Sequence, residues 1–473
     1  MKWIEEAKSW VKEKITPAAN KQPAKAKLSG SRKNGIGAPL IIPRDEHRIS
    51  RKFISDGALK VIARLRAAGF QGYLVGGSVR DLLLGKHPKD FDIATDAKPE
   101  QIRELFRNSR IIGRRFKIVH VRFGPEIIEV TTFRGAHAQF TADADDEEQI
   151  NTPGSMRSES GMLLRDNVYG TIEEDAIRRD FTVNALYYTT ENFAVYDYAG
   201  GLKDLRNKSI RIIGDAETRY REDPVRMLRA VRFAAKLDFS IEQNTAEPIR
   251  RLAGLLRDIP AARMFDEILK LLMGGYGQAT YRLMDDYGLF AVLFPATAEA
   301  IDLGLPCADE LIFEALANTD QRIANGKPVT PAFIYAALLW PALQQEVSQL
   351  AAQGLTEQLA LQQAIQTTID RQQRHTSIPR RFSQPMREIW ELQWRLPRRD
   401  ARRIQNLLDH PRLRAGYDFL LLRERVGESA SDVGQWWTEF FDADEDQRDH
   451  LLRKVATPRS ADGRRRRTRK PRS

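Results

Sequence analysis

The chain has 473 residues, 42% hydrophobic and 29% charged, which allows two to four cored domains and excludes a disordered protein. One cysteine, Cys307, excludes an intramolecular disulfide and a thiolate metal cluster, and no run of eighteen apolar residues exists to cross a membrane as a helix. The net charge of +11 is uneven: residues 453–473 carry ten Lys/Arg against one acid and residues 371–414 twelve arginines against four acids, so the remainder is mildly acidic. A front part that does chemistry and a rear that holds a polyanion is the expected division.

Along the chain, residues 2–15 place Trp3, Ile4, Ala7, Trp10, Val11 and Ile15 on one helical face, a docking helix or, as the second reading, a membrane-surface helix. Glu5 and Glu6 argue against a secretory leader, so a cytoplasmic protein is expected, with the inner-membrane surface as an option. A linker of Ala, Lys, Gly and Pro follows, and ordered structure is expected from about Ile49. Residues 55–69 read as an amphipathic helix closed by Gly69, GYLVGG as a short strand ending in two glycines, and SVRDLLLG as the next helix. FDIAT reads as a strand and residues 99–108 as a helix, while KIVHVRF and EIIEVTTF form a hairpin about Gly124-Pro125. Residues 135–161 read as a polar, acidic loop, FTVNALYY as a strand returning to the sheet, and everything from about Asp204 as helical. The expected fold is a small α/β head with a mixed sheet, followed by a long all-helical body.

The chemistry is expected at GGSVRD and DFD. Gly76 and Gly77 let the backbone approach a ligand, and their amides with the following helix offer a cradle for phosphate. Strand residues two apart share a face, so Asp90 and Asp92 would present two carboxylates together. Such carboxylates repel unless a cation sits between them, and magnesium, bound by few carboxylates plus substrate phosphates, is the natural choice. Either element alone is commonly an ordinary turn or a solvated strand; their succession within seventeen residues is specific. A third carboxylate is Glu129, on the face of EIIEVTTF shared with Ile127 and Thr131, or Asp180 of RRDFTVNA; both stay open, as does an exposed edge position for Glu129. In EDPVRMLRAVRFAAKL, Arg226, Arg229 and Arg232 share a helical face with Asp223 at its start, a base-reading set or else a neutralised surface stripe.

LVGGSVRDLLLGKHPKDFDIAT, with EIIEVTTFR, RRDFTVNALYY, YDYAGGLKDL and REDPVRMLRAVRFA, resembles the poly(A) polymerase and CCA-adding branch of the nucleotidyltransferase superfamily. The resemblance implies Asp90 and Asp92 as metal ligands (two Mg2+ ions), Asp180 or Glu129 assisting, and ATP as substrate. It further implies nucleotide contacts from Gly76, Gly77, Arg80, Arg179, Asn184, Arg229 and Arg232, with Asp223 and Arg226 choosing the base. Residues 111–130 and 161–182 and the arginine-rich C-terminus are similar to bacterial poly(A) polymerases rather than to CCA-adding relatives. RNA 3′ ends are the implied partner, with RNA-degradation machinery beside them and no DNA. Alternatives are a CCA-adding enzyme and a non-catalytic RNA-binding protein. The acidic insertion at residues 143–148 departs from the pattern.

The expected organisation is an N-terminal helix and linker (1–50), head (51–203), neck (204–300), basic helical region (301–455) and arginine-rich tail (456–473). Met386, Ile389, Trp390 and the stretch 392–394 give the rear an apolar face, and Trp390 and Trp394 read as core rather than as base-stacking platforms. The surrounding arginines would face a phosphate backbone without reading sequence. Deleting residues 456–473 is expected to weaken RNA binding and flatten its dependence on salt, measured by filter binding across a salt series; an unchanged slope would remove the tail from the phosphate contacts.

Overall fold

The computed structural model describes residues 38–113, 117–135, 155–157, 163–166, 168–399, 401–430 and 432–455. The N-terminal helix, the acidic insertion and the tail foreseen above lie outside these residues. The strands of the head are β1 Leu40–Ile42, β2 Tyr73–Val75, β3 Asp92–Thr95, β4 Ser109–Ile112, β5 Ile118–Phe123, β6 Glu126–Thr132, β7 Ser155–Arg157, β8 Leu163–Asp166, β9 Leu186–Tyr188 and β10 Val195–Asp197. Eight form one sheet in the order β1-β10-β9-β2-β3-β6-β5-β4; β3 and β6 run parallel and every other neighbouring pair antiparallel, the mixed sheet expected.

Period-two alternation gives this sheet two different faces. Leu74, Ile93, Ile128, Val130, Leu186 and Tyr188 point to the main core, where the helix Asp56–Ala67 contributes Ala58, Val61, Ile62 and Leu65. Ser55 caps that helix by accepting from the amide of Ala58 at 3.1 Å, and Gly69 closes it at φ +85°. Val75, Ala94 and Tyr187 point the other way, into a small cluster with Phe133 and with Ile172 and Ala176 of the helix Ile172–Arg178. Asp92 and Glu129 belong to this second face by parity. The sheet therefore buries one side completely and leaves part of the other for chemistry.

Three sequence expectations shift. The sheet's edge strand lies at Leu40–Ile42, ahead of Ile49, because three residues paired with β10 suffice at an edge. Residues 182–184 of FTVNALYY form a 3-10 turn, so the strand there is only β9. Residues 155–157 of the expected 135–161 loop form β7, which pairs with β8 just beyond it. Beyond the head, helices dominate, with a two-stranded parallel exception at Ser209–Ile210 and Ser240–Ile241.

The segment YDYAGGLKDL explains how the head holds its most important loop. Asp197 is buried, and its carboxylate accepts from the amides of Ala199, Gly200, Gly201 and Leu202 at 2.8–3.1 Å. The helix Gly201–Arg206 so started packs on Thr182, so closely that a Cβ at Gly201 would stand 2.2 Å from the Thr182 carbonyl oxygen. Asp204 then accepts from Thr182 Oγ1 at 2.7 Å. In the rear, Trp390 is buried and donates to the carbonyl of Ala336 at 3.0 Å, and Trp437 to that of Leu396 at 3.1 Å; both are core. Replacing Asp197 by Ala leaves four amides without their acceptor and should lower the stability of the head by about 2–4 kcal/mol. A urea melt followed by tryptophan and far-UV signals would detect it; an unchanged midpoint would deny the cap its weight.

Candidate active site

β3 and β6 pair in parallel with Asp92 opposite Glu129, so adjacent strands bring two carboxylates side by side. Asp90 precedes the strand rather than sitting in it, and is exposed. Burial, then the charge of Glu129 and that of Asp90, push the Asp92 carboxyl up to about 6, although Arg179 pulls the other way. Gly76 ends β2 at φ +74°, ψ −137°, a conformation open to glycine. A Cβ there would lie 3.7 Å from Asp92 Oδ2 and 3.8 Å from Arg179 Nη1, so the first glycine, the buried carboxylate and the guanidinium meet at one point. Gly77 opens the next helix, Gly77–Leu83, directly over the Arg80 guanidinium.

Arg179 is itself held in place. It donates to Asp175 Oδ2 at 2.9 Å and to the Tyr187 hydroxyl at 2.8 Å, while Tyr187 donates to the same carboxylate oxygen at 2.7 Å. Burial opposes the charge of Asp175, yet Arg179, Arg134 and the Tyr187 hydroxyl keep its carboxyl below the usual range.

Asp180, the rival third carboxylate, goes elsewhere. Its Oδ2 receives Nε of Arg229 at 2.7 Å together with a second guanidinium nitrogen, and its Oδ1 receives Asn184 Nδ2 at 3.2 Å and its neighbour's amide at 2.8 Å. Burial alone would raise its carboxyl, but these partners hold it far below the carboxylate range. Asn184 Oδ1 in turn accepts from the buried Arg80 at 2.6 Å, and Arg80 also pairs with Asp81 at 2.8 Å. Arg80, Asn184, Asp180 and Arg229 thus form one polar relay from the glycine turn to the helix Val225–Leu237. Three residues read from sequence as nucleotide contacts are occupied in holding the loop.

On the neck, Asp223 and Arg226 are each engaged by other partners. Arg263, which sequence reading did not single out, donates to both oxygens of Asp223 at 3.1 and 3.0 Å. Arg226 donates to Glu222 and to the carbonyl of Arg219, at 2.8 and 2.7 Å. Arg232 lies over the Phe233 ring at 5.1 Å, and burial, then the neighbouring Arg229, lowers its proton affinity.

No three of His, Cys, Asp or Glu among the described residues make a ready cage for a metal ion. The donor set still fits a divalent cation, because Asp92 and Glu129 stand on paired positions of adjacent strands with only the Arg179 guanidinium near Asp92, and magnesium completes its shell with water and phosphate oxygens.

In overall fold the chain matches the Bacillus stearothermophilus CCA-adding enzyme in complex with CTP, with a TM-score of 0.52 and 26% identity over 84% of this chain and 81% of that one. With the glycine turn and the acidic face, that fold defines a nucleotidyltransferase. Residues 72–211 match the Poly A polymerase head domain, 238–301 the probable RNA and SrmB-binding site of polymerase A, and 353–472 the polymerase A arginine-rich C-terminus. Poly(A) polymerase I of Escherichia coli O6:H1 is 52% identical over 439 residues, 91% of each chain, and that of Haemophilus influenzae 46% identical over 416 residues, 87% of this chain and 90% of its own. The chain belongs to the bacterial poly(A) polymerase I family. CCA-adding enzymes are more distant: that of Lactobacillus helveticus is 37% identical over 48% of this chain.

Because the Asp92 carboxyl titrates higher folded than unfolded, its ionisation costs stability as pH rises through about 6. Asp92→Asn should stabilise the magnesium-free protein at pH 8 by about 1–3 kcal/mol. The difference should vanish near pH 2, below the ordinary Asp value of 3.8, where the carboxyl is protonated folded and unfolded alike. Thermal melts at both pH values test this; identical melting at pH 8 would mean that the crowded carboxylate carries no cost.

Proposed function

We propose that the chain joins AMP from ATP to an RNA 3′ end by in-line attack of the terminal hydroxyl on the α-phosphate, with Asp92, Asp90 and Glu129 as the acidic group. The carrying observation is the register that sets Glu129 beside Asp92 on the open face of the sheet. Two magnesium ions held there would supply charge neutralisation for the triphosphate and a more acidic 3′-hydroxyl. Gly76 gives the triphosphate close backbone access, and Arg179, fixed by Asp175 and Tyr187, offers charge against the departing pyrophosphate. Asp180 acts through Arg229 and Asn184 as the tie that fixes the loop, and Arg80 supports it from beneath.

Selection of adenine falls to Arg226 and Asp223 in a network that also includes Glu222, Arg219 and Arg263. A pocket whose donors and acceptors are tied down favours one base at every cycle, as a homopolymer requires. A CCA-adding enzyme must accept C and then A, which asks for a pocket that changes. The neck (204–300) and basic region (301–455) would carry the RNA, with SrmB-like machinery engaged around residues 238–301. Arg371, Arg398, Arg412, Arg414 and Arg425 are paired with Glu346, Glu357, Glu388, Asp418 and Glu314, but the arginine side chains themselves are largely exposed and open to an incoming phosphate. A cytoplasmic enzyme fits ATP and RNA as substrates. No helix among the described residues is long and apolar enough to cross a membrane, and membrane association through residues 2–15 would be peripheral.

The test separates the acidic residues. With a short unstructured RNA, magnesium and ATP, the wild type should give a long ladder, Asp92→Ala none, and Glu129→Gln a loss of at least about a hundredfold in rate. Asp180→Asn should lose activity together with stability, since it breaks a buried pair. A fully active Glu129→Gln would move the third carboxylate to Asp180.

A further inference from the structure

We infer that His120 is a positioning residue for the acidic group: its imidazole holds the carboxylate of Glu129 in place for the cation it shares with Asp92. The inference rests on the reading of Glu129 as the third carboxylate. β5 and β6 are antiparallel, and their register sets His120 directly opposite Glu129. The ring reaches across, with Nε2 at 3.2 Å from Glu129 Oε1. An ionised carboxylate only accepts, so this contact requires the proton on Nε2.

The reason for such a contact lies in the crowding. Glu129 is about half exposed (47%), and its neighbour across β3 is another acid. Repulsion from Asp92 and the pull of water both turn a flexible Glu side chain outward. The ring nitrogen on the opposite strand engages one oxygen and leaves the second for a cation. His120 sits on a six-residue strand between β6 and β4, with Val119 and Val121 buried on either side of it, so the ring is carried on a rigid support. The edges of the site are thus shared by three strands: β3 gives Asp92, β6 gives Glu129, and β5 gives the group that aims it.

Groups that orient a metal ligand typically change metal affinity or rate by about 10–100-fold when removed. His120→Leu should therefore raise the magnesium concentration for half-maximal activity by about tenfold and weaken Mn2+ binding to the nucleotide-free protein, followed by electron paramagnetic resonance, by a similar factor. The KM for RNA should not move. His120→Gln, whose amide nitrogen can occupy the Nε2 position, should restore most of both. His120→Asn keeps a polar group but falls short of Glu129, and should behave as the Leu variant even if that one folds poorly. In the Glu129→Gln background, His120→Leu should add little further loss. If His120→Leu and His120→Asn both keep wild-type magnesium demand and Mn2+ affinity while Glu129→Gln is impaired, the inference fails and the reading of Glu129 stands. A fully active Glu129→Gln overturns both.

Discussion

The pair between Asp180 and Arg229 is the contact on which the catalytic arrangement depends. It bridges 49 residues of sequence and fastens the loop that follows Ile172–Arg178 to the helix Val225–Leu237. Taking two charges out of water is costly, and such a pair persists only when its remaining lone pairs are met. Here they are: Asn184 and the amide of Phe181 take the other oxygen, and Asn184 passes the restraint on to Arg80 under the glycine turn. Arg179, next in sequence, is thereby delivered to Asp92. Head and neck are coupled by electrostatics that cannot slip by one residue without stranding a charge.

Against this fixed frame stands a deliberately unfavourable pair of acids. Asp92 is raised because it is buried and faces Glu129, and a fold optimised only for stability would put an amide or a threonine there. The frame makes the expense tolerable. One face of the sheet is largely apolar, its Thr95 and Thr132 hydroxyls hydrogen-bonded to backbone carbonyls, and the helices Asp56–Ala67 and Pro99–Leu105 pack on it. The opposite face can then carry two crowded carboxylates at some cost in stability.

Much of this was legible from local pattern. The alternation in EIIEVTTF separates Ile127, Glu129 and Thr131 from Ile128, Val130 and Thr132, and it is the second set that the fold buries. The helices on either side of the glycine turn, the hairpin about Gly124-Pro125 and the all-helical rear followed from periodicity and turn chemistry. What stayed hidden was pairing between distant segments. Glu129 and Asp180 could not be separated because nothing local says that β3 and β6 run parallel with Asp92 opposite Glu129. Arg263 lies 40 residues from Asp223, and its own helix gives no sign of the carboxylate it holds. His120 looked like one more residue of an alternating strand, and only the cross-strand register reveals its neighbour.

The same distinction bears on how a single scaffold serves different polymerisation tasks. Phosphate access and acidic chemistry reside in short strand-and-turn motifs, which this chain shares in outline with CCA-adding relatives. Asp223 is instead held by a contact from beyond the head: Arg263 comes from the helix Ala261–Leu272, and that helix packs into the helical core through Met264, Phe265, Ile268 and Leu271. Phe265 stacks on both Tyr335 and Phe382, so the helix that carries Arg263 is held by residues far downstream in the chain. A change in the body can therefore shift Arg263 and its partner Asp223 without touching the acidic face of the sheet. If Asp223 and Arg226 read the base as proposed above, substrate choice in this architecture depends on how firmly the neck is held, and the head alone does not contain it.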